Sequence, residues 1–296
     1  MKRVVIMVKD VIKSLIPPLA WTVLGKLTSG KQGLVIKGDF ATFGDAHAFL
    51  RSHSLGDYSE GCIVESVATA IEAVRSGSAV FERDGFLFDE KDYNYPVLTS
   101  LLYCFAALGR GSRIDVLDFG GSLGSTYFQN REVLAGLDYA WSVVEQECFV
   151  TRGRGCVPEI SFYYTIDEYL QSGKAKDVCL VSSVLQYLDD PLKWARRIFD
   201  VGFRYVLVDR TYFNPLKGTH IGIQYVASSI YNAQYPITLI EYEAFLQVAR
   251  ECGYSVVNEW VSPVDKMPLV AKGKRFVLPS RGVLLSHGDS LALSQR

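Results

Sequence analysis

The sequence predicts an α/β protein in which helices cover both faces of a seven-stranded, mostly parallel sheet, preceded by an N-terminal helical and hairpin cap. Two observations lead to this fold class. Short runs of β-branched and aromatic residues alternate with helical patterns between residues 113 and 261, an alternation typical of parallel sheets with right-handed crossovers. The first run also ends in a glycine-rich turn, as does the strand beside a nucleotide site in such sheets.

Size and composition fit one large folded unit with extensions. The chain has 296 residues, 49% of them hydrophobic, and a chain of this length buries about 75% of its unfolded surface. The predicted division is an amphipathic helical segment over 1–30, a helical cap with a hairpin over 31–110, the sheet domain over 111–285 and a flexible tail over 286–296. The tail is polar and terminal, where chains commonly fray.

The N-terminal segment from Val4 to Leu27 is apolar but interrupted. Lys9, Asp10 and Lys13 break the apolar run, so it lacks the ~20 consecutive apolar residues of a membrane-spanning helix and the uninterrupted centre of a signal peptide. Two adjacent prolines divide what remains into two short amphipathic helices. We expect these helices either to pack on the sheet or a partner chain, or to lie on the cytoplasmic face of a membrane.

The predicted cap contains two helices and a hairpin. Apolar residues at helical spacing run over Ile63–Gly77 and again over Tyr95–Leu108, and the hairpin Ala79–Phe88 turns at Asp84-Gly85, a strong short-range hairpin signal. We expect this cap to cover the ligand end of the sheet. The side chains expected on its inner wall are Asp39, Phe40, Tyr58, Tyr93 and Tyr95.

The glycine-rich turn lies in the segment Arg113–Ser125, RIDVLDFGGSLGS. An apolar strand there leads into an acidic residue, the turn and then a helix. Backbone N–H groups at the start of such a helix can face a nucleotide, and glycines let the ligand approach the chain closely. A dinucleotide fingerprint G-x-G-x-x-G needs glycine at positions that Ser122 and Ser125 occupy, so this pattern fails twice.

The methyl-donor pattern of S-adenosylmethionine (SAM) enzymes, acidic-x-G-x-G-x-G, fits the turn better. It starts at Asp118 and is met at Gly120 and Gly124, with an additional glycine at Gly121. It fails only at Ser122, where the middle glycine would stand. The sequence therefore favours SAM over a dinucleotide as the ligand.

The strands that follow place polar residues at the same edge of the sheet. The strand-like run Tyr139–Gln146 carries Glu145 at its end, ~20 residues after the glycines, where a carboxylate can accept hydrogen bonds from both hydroxyls of an adenosine ribose. Because ligands of parallel sheets lie at the carboxyl ends of the strands, Ser182 and Arg210 are candidates as well. The later predicted strands are Ile160–Tyr164, a run ending near Ser182, Tyr205–Arg210, Tyr254–Val261 and an edge strand over Phe276–Leu285, FVLPSRGVLL.

Four segments together resemble an uncharacterised group of bacterial methyltransferase-like proteins that are often encoded near surface-polysaccharide genes. They are VLDFGGSLGS, WSVVEQ, SSVLQYLDDP and IYNAQYP, and the resemblance runs from about residue 38 to about residue 254. It implies a Rossmann-like methyltransferase fold with SAM as cofactor. The residues that it implies for SAM binding are Asp118, Gly120, Gly124 and Glu145, to which the turn and the strand end add Gly121 and Ser182.

One departure from the wider superfamily bears on catalysis. The segment SSVLQYLDDP resembles the LEHLxDP segment of methyltransferases that act on small molecules, but it has Gln186 and Tyr187 where those enzymes have Glu and His. This removes one candidate base. The resemblance itself implies no particular acceptor.

The segment after Arg210 is rich in tyrosine, glutamine and asparagine and is expected to be a loop that covers the site. His220 could act there as a base for a hydroxyl acceptor, or be a surface or capping residue. Arg210 could bind a carboxylate or phosphate of the acceptor, or pair with a nearby aspartate. The set suited to a sugar or another polar metabolite comprises Asp209, Arg210, His220, Gln224, Tyr225, Tyr231 and Tyr235.

Charge and cysteine spacing exclude other classes. With 31 basic and 32 acidic residues the formal net charge is −1, so the electrostatic signature of a nucleic-acid-binding protein is missing. The six cysteines are scattered without a C-x-x-C pair or a histidine at ligand spacing, so we predict neither a disulfide framework nor a metal site. The simple expectation is a cytoplasmic protein.

Three functions follow from these patterns. The first is a SAM-dependent methyltransferase acting on a small polar or glycan-type acceptor, catalysed with His220 and Arg210. The second is a non-catalytic scaffold or interaction protein in a polysaccharide-assembly complex, favoured by the missing middle glycine at Ser122. The third is an NAD-dependent sugar enzyme, which Ser122, Ser125 and the lack of a Tyr-x-x-x-Lys pair disfavour.

Overall fold

The computed structural model describes residues 34–53, 60–83, 85–91, 93–109, 113–226 and 233–288, with the backbone alone for residues 60–63 and 264. The predicted N-terminal segment, Tyr58, Asp84 and Tyr231 lie outside the described residues. The strands of the described part are Leu34–Phe40 (β1), Phe81–Arg83 (β2), Phe86–Phe88 (β3), Ile114–Phe119 (β4), Tyr139–Val144 (β5), Ser161–Tyr163 (β6), Val178–Ser182 (β7), Tyr205–Thr211 (β8), His220–Val226 (β9), Gln234–Leu239 (β10), Tyr254–Ala271 (β11) and Lys274–His287 (β12).

Its helices connect these strands. They are Phe43–Ser52 (α1), Glu60–Arg75 (α2), Tyr95–Leu108 (α3), Ser125–Asn130 (α4), Glu147–Cys156 (α5), Ile166–Gln171 (α6), Pro191–Asp200 (α7) and Tyr242–Glu251 (α8), with a short 3-10 helix at Leu185–Tyr187. The predicted helices at Ile63–Gly77 and Tyr95–Leu108 correspond to α2 and α3. The hairpin predicted over Ala79–Phe88 is present as β2 and β3. Among the residues that the structure describes, none of the helices has the length and apolar character needed to cross a lipid bilayer.

Ten strands form one sheet in the order β10-β9-β1-β11-β12-β8-β7-β4-β5-β6, and β2 and β3 pair separately. The block from β8 to β6 is parallel throughout, and β12 joins it in the antiparallel direction. The prediction of an α/β fold with a mostly parallel central sheet is therefore confirmed. The carboxyl ends of these parallel strands lie at one edge.

Side chains of successive strand residues serve two separate cores. Leu180 of β7 packs in a cluster with residues of α2 and α3 on one face, whereas the next residue, Val181, packs in a cluster with residues of α7 and α8 on the other. This alternation follows from the two-residue period of a strand. Because both faces are buried, the strands read as continuous apolar runs without polar alternation. Helices on both faces of the sheet are thus observed as predicted.

The prediction of seven strands is wrong, because the sheet is extended by β1, β9 and β10. β1 lies in the segment predicted as a helical and hairpin cap, and β9 and β10 lie in the segment predicted as a covering loop. The strand β9, HIGIQYV, is buried at both ends and in its middle and contains Gly222 and the buried Gln224. Neither a two-residue alternation nor a continuous apolar run marks it, so the local pattern does not identify a strand.

The predicted edge strand at Phe276–Leu285 is also corrected, since β12 is internal. It pairs with β11 along its length and with β8 from Arg281 onwards. Pro279 pairs only with Lys266 of β11, in a part of β12 that has no second neighbouring strand. Because proline has no N–H to donate, it is tolerated at such a position. The far half of β11 pairs in parallel with β1, so the β11–β12 hairpin joins the two halves of the sheet.

Candidate functional site

Backbone strain is concentrated at the carboxyl edge of the parallel strands. Of the four non-glycine residues with positive φ in the described part of the chain, three lie there: Ser122 (φ 54°) after β4, Ser183 (φ 59°) after β7 and Arg210 (φ 46°) near the end of β8. The fourth, Lys272, is in the tight turn between β11 and β12. A left-handed conformation costs an L-residue on the order of 1–3 kcal/mol and persists mainly at functional sites. The strain therefore marks this edge as the candidate site.

A cavity of about 500 Å³ opens at the ends of β4, β5, β6 and β7. Its walls combine aromatic and apolar side chains with a few polar groups, as expected for a small-molecule site. The lining residues are Phe119, Gly120, Val144, Glu145, Gln146, Tyr164, Thr165, Ile166, Asp167, Ser183, Val184, Tyr187, Leu188, Trp194 and Arg197. We call this the cofactor cavity.

The glycines of the turn are required by their surroundings. Gly120 has φ 72°, and a Cβ atom on it would lie 2.5 Å from Val184 Cγ2. Gly124 has φ 94° and leaves no room for a side chain against Ile160. A side chain at Gly121 would collide with the carboxyl group of Asp118. Each of the three predicted glycines therefore stands where no other residue fits without a shift.

Asp118 is buried beneath this turn, with 1% of its surface exposed. Burial raises the pKa of Asp118 to about 7, the Trp141 indole lowers it, the charge of Glu145 raises it further and that of Arg210 lowers it. Within the described residues, the Asp118 Oδ2 atom makes no hydrogen bond. Asp118 does not line the cofactor cavity, so a cationic ligand bound there would act on its carboxylate through charge and not through direct contact.

Glu145 follows β5 and is held by its backbone. Its N–H donates to the carbonyl oxygen of Tyr163 at 3.1 Å, and its Oε2 accepts from the N–H of Gln146 at 2.6 Å. The half-buried side chain lines the cofactor cavity. An ionised carboxylate offers about four acceptor sites on its two oxygens, so Glu145 can accept hydrogen bonds from a diol in addition to the one from Gln146.

The rest of this cavity was not predicted from the sequence. Phe119 and Trp194 lie with ring centroids 5.7 Å apart, and Tyr164 adds a third aromatic side chain, which suits a flat heterocycle. Arg197 forms an ion pair with Asp167 at the rim. Trp194 lies in the first turn of the helix α7, whose start is marked by the DDP segment. That segment is the sequence signal that could have identified Trp194.

Ser182, the predicted residue at the end of β7, lines neither this cavity nor the second cavity described below. Its hydroxyl donates to Asp209 Oδ2 at 3.4 Å. The next residue, Ser183, lines both cavities, because its left-handed conformation turns the chain at the strand end.

A second cavity of about 770 Å³ adjoins the first, and Ser183 and Tyr187 line both. We call it the acceptor cavity. Its walls come from the β2–β3 hairpin, the start of α3, the end of β8 and the strands that extend the sheet. The lining residues are Leu34, Arg83, Phe86, Phe88, Tyr93, Asn94, Tyr95, Pro96, Ser183, Tyr187, Asp209, Arg210, Tyr212, Gln224, Val226, Tyr235, Trp260, Val261, Ser262, Pro263, Asp265, Met267 and Ser280.

Two hydrogen-bond networks organise the acceptor cavity. The Tyr187 hydroxyl donates to Gln224 Oε1 at 3.2 Å, and Gln224 Nε2 donates to the Tyr235 hydroxyl at 3.0 Å. On the other wall, the Tyr212 hydroxyl donates to Asp265 Oδ1 at 2.5 Å. Aromatic rings with hydroxyl groups at their tips offer both stacking and hydrogen bonds to a polar ligand.

Asp209 is buried at the end of β8 and is held by neutral donors. Asn94 Nδ2 donates to Asp209 Oδ2 at 2.7 Å, Trp260 Nε1 donates to Oδ1 at 3.1 Å, and the Ser182 hydroxyl is a weaker donor. Burial raises the pKa of Asp209, while the Arg210 charge and these hydrogen bonds lower it. Sequence patterns gave no sign of the contacts with Asn94 and Trp260, which come from distant parts of the chain.

Only some of the side chains predicted to surround the acceptor line the acceptor cavity. Tyr93, Tyr95, Gln224 and Tyr235 line the acceptor cavity. Phe40 instead packs on Phe49 with centroids 5.5 Å apart. Asp39 and Tyr225 are likewise absent from both linings.

His220, the predicted base, lines neither cavity. It is 3% exposed at the start of β9, where its Nδ1 lies 3.4 Å from Asp39 Oδ1, and burial lowers its pKa. A catalytic role for His220 stays a prediction. Within the described ranges, no group of three or more His, Cys, Asp and Glu side chains is arranged to hold a metal ion.

No protein-family model and no curated protein matches the chain. Among solved structures, it is similar to LepI in complex with SAM at 12% identity and a TM-score of 0.40, over 62% of this chain and 46% of LepI. It is similar to a SAM-dependent methyltransferase from Clostridium acetobutylicum ATCC 824 at 10% identity and a TM-score of 0.39, over 67% of this chain and 93% of the other.

A third similar structure is the 1,6-didemethyltoxoflavin-N1-methyltransferase of Burkholderia thailandensis, solved with 1,6-didemethyltoxoflavin and S-adenosylhomocysteine. The identity is 11% and the TM-score 0.38, over 86% of this chain and 93% of the other. This chain spans about half the length of LepI. Similarities at this level leave the function to be argued from the two cavities.

Proposed function

We propose that this protein is a SAM-dependent methyltransferase that acts on a small polar or glycan-type acceptor. The observation that carries the proposal is the shared wall of the two cavities at Ser183 and Tyr187. A methyl donor in one cavity and an acceptor in the other would meet there. Methyl transfer is a reaction between two bound molecules, so it needs this kind of adjacency.

The cofactor cavity has the groups that SAM requires. Glu145 can accept hydrogen bonds from the ribose hydroxyls, and the aromatic walls formed by Phe119, Tyr164 and Trp194 can hold the adenine. The buried Asp118 would gain from a nearby cation, because a positive charge stabilises its ionised form. Bound SAM supplies a methyl group already activated by its sulfonium sulfur.

The chain's own contribution is to orient the two reactants and exclude water. Holding nucleophile and methyl carbon in line replaces a bimolecular encounter, an effect that can contribute roughly 7–11 kcal/mol to a barrier. Ser183 on the shared wall and Arg210 in the acceptor cavity both have left-handed backbone conformations, which persist only where the surrounding structure fixes them. Acid-base chemistry is a smaller requirement for an activated methyl donor.

The acceptor cavity suits a polar ring. Its tyrosines and tryptophan can stack on the faces of a sugar, while the Tyr187–Gln224–Tyr235 network offers hydroxyl and amide groups to its edges. A glycan acceptor and a role in surface-polysaccharide biosynthesis are the finer parts of the proposal. They rest on this composition and on the sequence resemblance. Contact with a membrane surface through the N-terminal segment remains a prediction.

The first prediction concerns Glu145. Replacing it with alanine removes a charged hydrogen-bond acceptor from the cofactor cavity, so Glu145→Ala should weaken SAM binding by about 1–3 kcal/mol. Isothermal titration calorimetry of SAM with the wild-type protein and the variant measures this difference. Glu147→Ala is the matched control, because Glu147 is exposed and lies outside the cavity lining, and it should bind SAM as the wild type does.

Equal SAM affinity in the wild-type and Glu145→Ala proteins would contradict this assignment. If the wild-type protein itself does not bind SAM, that result would contradict the methyltransferase proposal and favour the scaffold alternative. A second assay separates binding from catalysis. The methyltransferase proposal requires the protein to form S-adenosylhomocysteine when it is mixed with SAM and the low-molecular-weight fraction of a bacterial extract.

A further inference from the structure

Asp209 and Arg210 are neighbours in sequence, yet both line the acceptor cavity. Adjacent strand residues normally point to opposite faces. The chain departs from this rule because Arg210 is left-handed, with φ 46°. Gln186, itself 1% exposed, donates from Nε2 to the carbonyl oxygen of Arg210 at 3.1 Å. A buried amide thus helps to stabilise the backbone conformation that turns the arginine into the cavity.

The guanidinium of Arg210 forms no ion pair with any carboxylate that the structure describes. Across the described part of the chain, no carboxylate lies within 4.0 Å of it, whereas other arginines such as Arg196 and Arg250 are ion-paired. The sequence left open whether Arg210 pairs with a nearby aspartate. No such ion pair is present among the described residues. The preceding residue, Asp209, accepts its side-chain hydrogen bonds from the neutral donors Asn94 and Trp260.

The charge of Arg210 acts on buried groups beneath the glycine-rich turn and in the acceptor cavity. Arg210 lowers the pKa of Asp118 under the glycine-rich turn and of Asp209 at the strand end, and it also acts on Tyr212 in the acceptor cavity. Arg210 lines the acceptor cavity together with Ser183 and Tyr187, the two residues of the shared wall.

A partly exposed guanidinium that forms no ion pair with a described carboxylate is available to a ligand in the cavity. Arginine presents a planar fork of donors that fits a carboxylate or a phosphate in two parallel hydrogen bonds. The aromatic walls of the cavity lower the local dielectric constant, which strengthens such a contact relative to water. The same chemistry recognises a uronic acid and a sugar phosphate.

We propose that Arg210 forms an anion-binding subsite in the acceptor cavity, so that the acceptor carries a carboxylate or phosphate group close to the atom that is methylated. That the bound anion is the methyl acceptor rests on the proposed function, whereas the anion-binding subsite rests on the residues that line the cavity. The subsite narrows the class of acceptor from polar ring compounds to ring compounds that carry an acidic group. The anion anchors the ring against Arg210 while the aromatic walls hold its faces.

The test measures the binding of three sugars to the protein saturated with S-adenosylhomocysteine and to the protein alone. The probes are D-glucuronate, D-glucose 1-phosphate and neutral D-glucose, at low ionic strength so that salt does not screen the contact. We expect at least one charged sugar to bind roughly 10-fold or more tightly than glucose. Whichever charged sugar binds identifies the carboxylate or the phosphate as the preferred group.

Three variants locate the subsite. Arg210→Gln should abolish the preference for the charged sugar, and Arg210→Lys should restore part of it. Arg275→Gln removes the same charge from an exposed position on β12 and should leave the preference intact. Circular dichroism and thermal unfolding check that each variant is folded.

Several results would overturn the proposal. These are equal affinity for charged and neutral sugars, a preference that survives Arg210→Gln, or a preference lost only in Arg83→Gln, which would move the anion to the other arginine of the cavity. Loss of SAM affinity in Arg210→Gln with the sugar preference intact would assign Arg210 to the carboxylate of SAM. Because the sugars are also tested without S-adenosylhomocysteine, a failure of SAM binding would overturn the proposed function and not this one.

Discussion

Ser122 occupies the position where the SAM-binding pattern has its middle glycine, and it adopts the backbone conformation that glycine adopts readily. Its φ of 54° is left-handed, so the turn keeps its shape and the serine bears the strain. The turn is still closed by Gly120 and Gly124 on either side. Serine in place of the middle glycine therefore costs local backbone energy without changing the shape of the turn. It is not evidence that the cofactor site has been lost.

A substitution tests this explanation. Ser122→Gly relieves a left-handed L-residue but adds freedom to the unfolded chain, so we expect a net gain of up to about 1 kcal/mol in the free energy of unfolding. Urea denaturation measures it. Ser125→Gly is the control, because Ser125 begins the helix α4, where glycine lowers stability by up to about 1 kcal/mol. A loss of stability in Ser122→Gly would show that the strain is offset by contacts of the serine side chain.

At the scale of single elements, the helix α5 shows how a cavity wall is positioned. The helix starts directly after Glu145 and Gln146 and rests on β6 through Gly153, where a Cβ atom would lie 2.6 Å from the Phe162 ring. Arg154 also donates to the carbonyl oxygen of Phe162 at 2.8 Å. This close approach of helix and strand helps to set the position of Glu145 at the edge of the cofactor cavity.

Two glycines of α5 make a matched pair. Gly153→Ala should lower the free energy of unfolding by about 1–3 kcal/mol, since it overpacks the contact with Phe162. Gly155→Ala should raise it by roughly 0.5–1 kcal/mol, because the added methyl group meets nothing within 4 Å beyond its chain neighbours and the backbone of its own helix, and alanine favours the helix. Both changes are read from urea denaturation curves. Equal effects of the two substitutions would mean that α5 does not depend on close packing against β6.

For the whole molecule, the decisive feature is that the two halves of the sheet are one hydrogen-bonded unit. The β11–β12 hairpin pairs with β8 on one side and with β1 on the other, and Trp260 of β11 donates to Asp209 of β8. The acceptor cavity lies where these halves meet. Both its shape and its charge therefore depend on residues far apart in the chain.

This continuity predicts cooperative unfolding. The slowest-exchanging amides of His220–Val226 (β9) and Tyr139–Val144 (β5) should open with the same free energy in native-state hydrogen exchange. S-adenosylhomocysteine at 100 times its Kd should raise both values by about 2.7 kcal/mol, because a ligand that binds only the folded state stabilises all of it. The expectation fails if β9 opens at lower free energy and does not respond to the ligand.

The sequence by itself determined the parallel strands, the glycine-rich turn and Glu145 at the second strand end. These features are local, since a buried strand is a continuous apolar run and a tight turn needs glycine at defined positions. Gly120 and Glu145 do line the cofactor cavity. Only the tertiary structure decided that β1, β9 and β10 extend the sheet.

The tertiary structure also decided that Trp260 and Asn94 donate hydrogen bonds to Asp209 and that no described carboxylate forms an ion pair with Arg210. The physical reason is that hydrogen bonds and ion pairs between distant segments leave no period in the sequence. They depend on which strand edges meet, and several polar residues could have been the partner. The amino-acid pattern therefore indicates where a ligand can lie, whereas the charge that it meets there is a property of the assembled sheet.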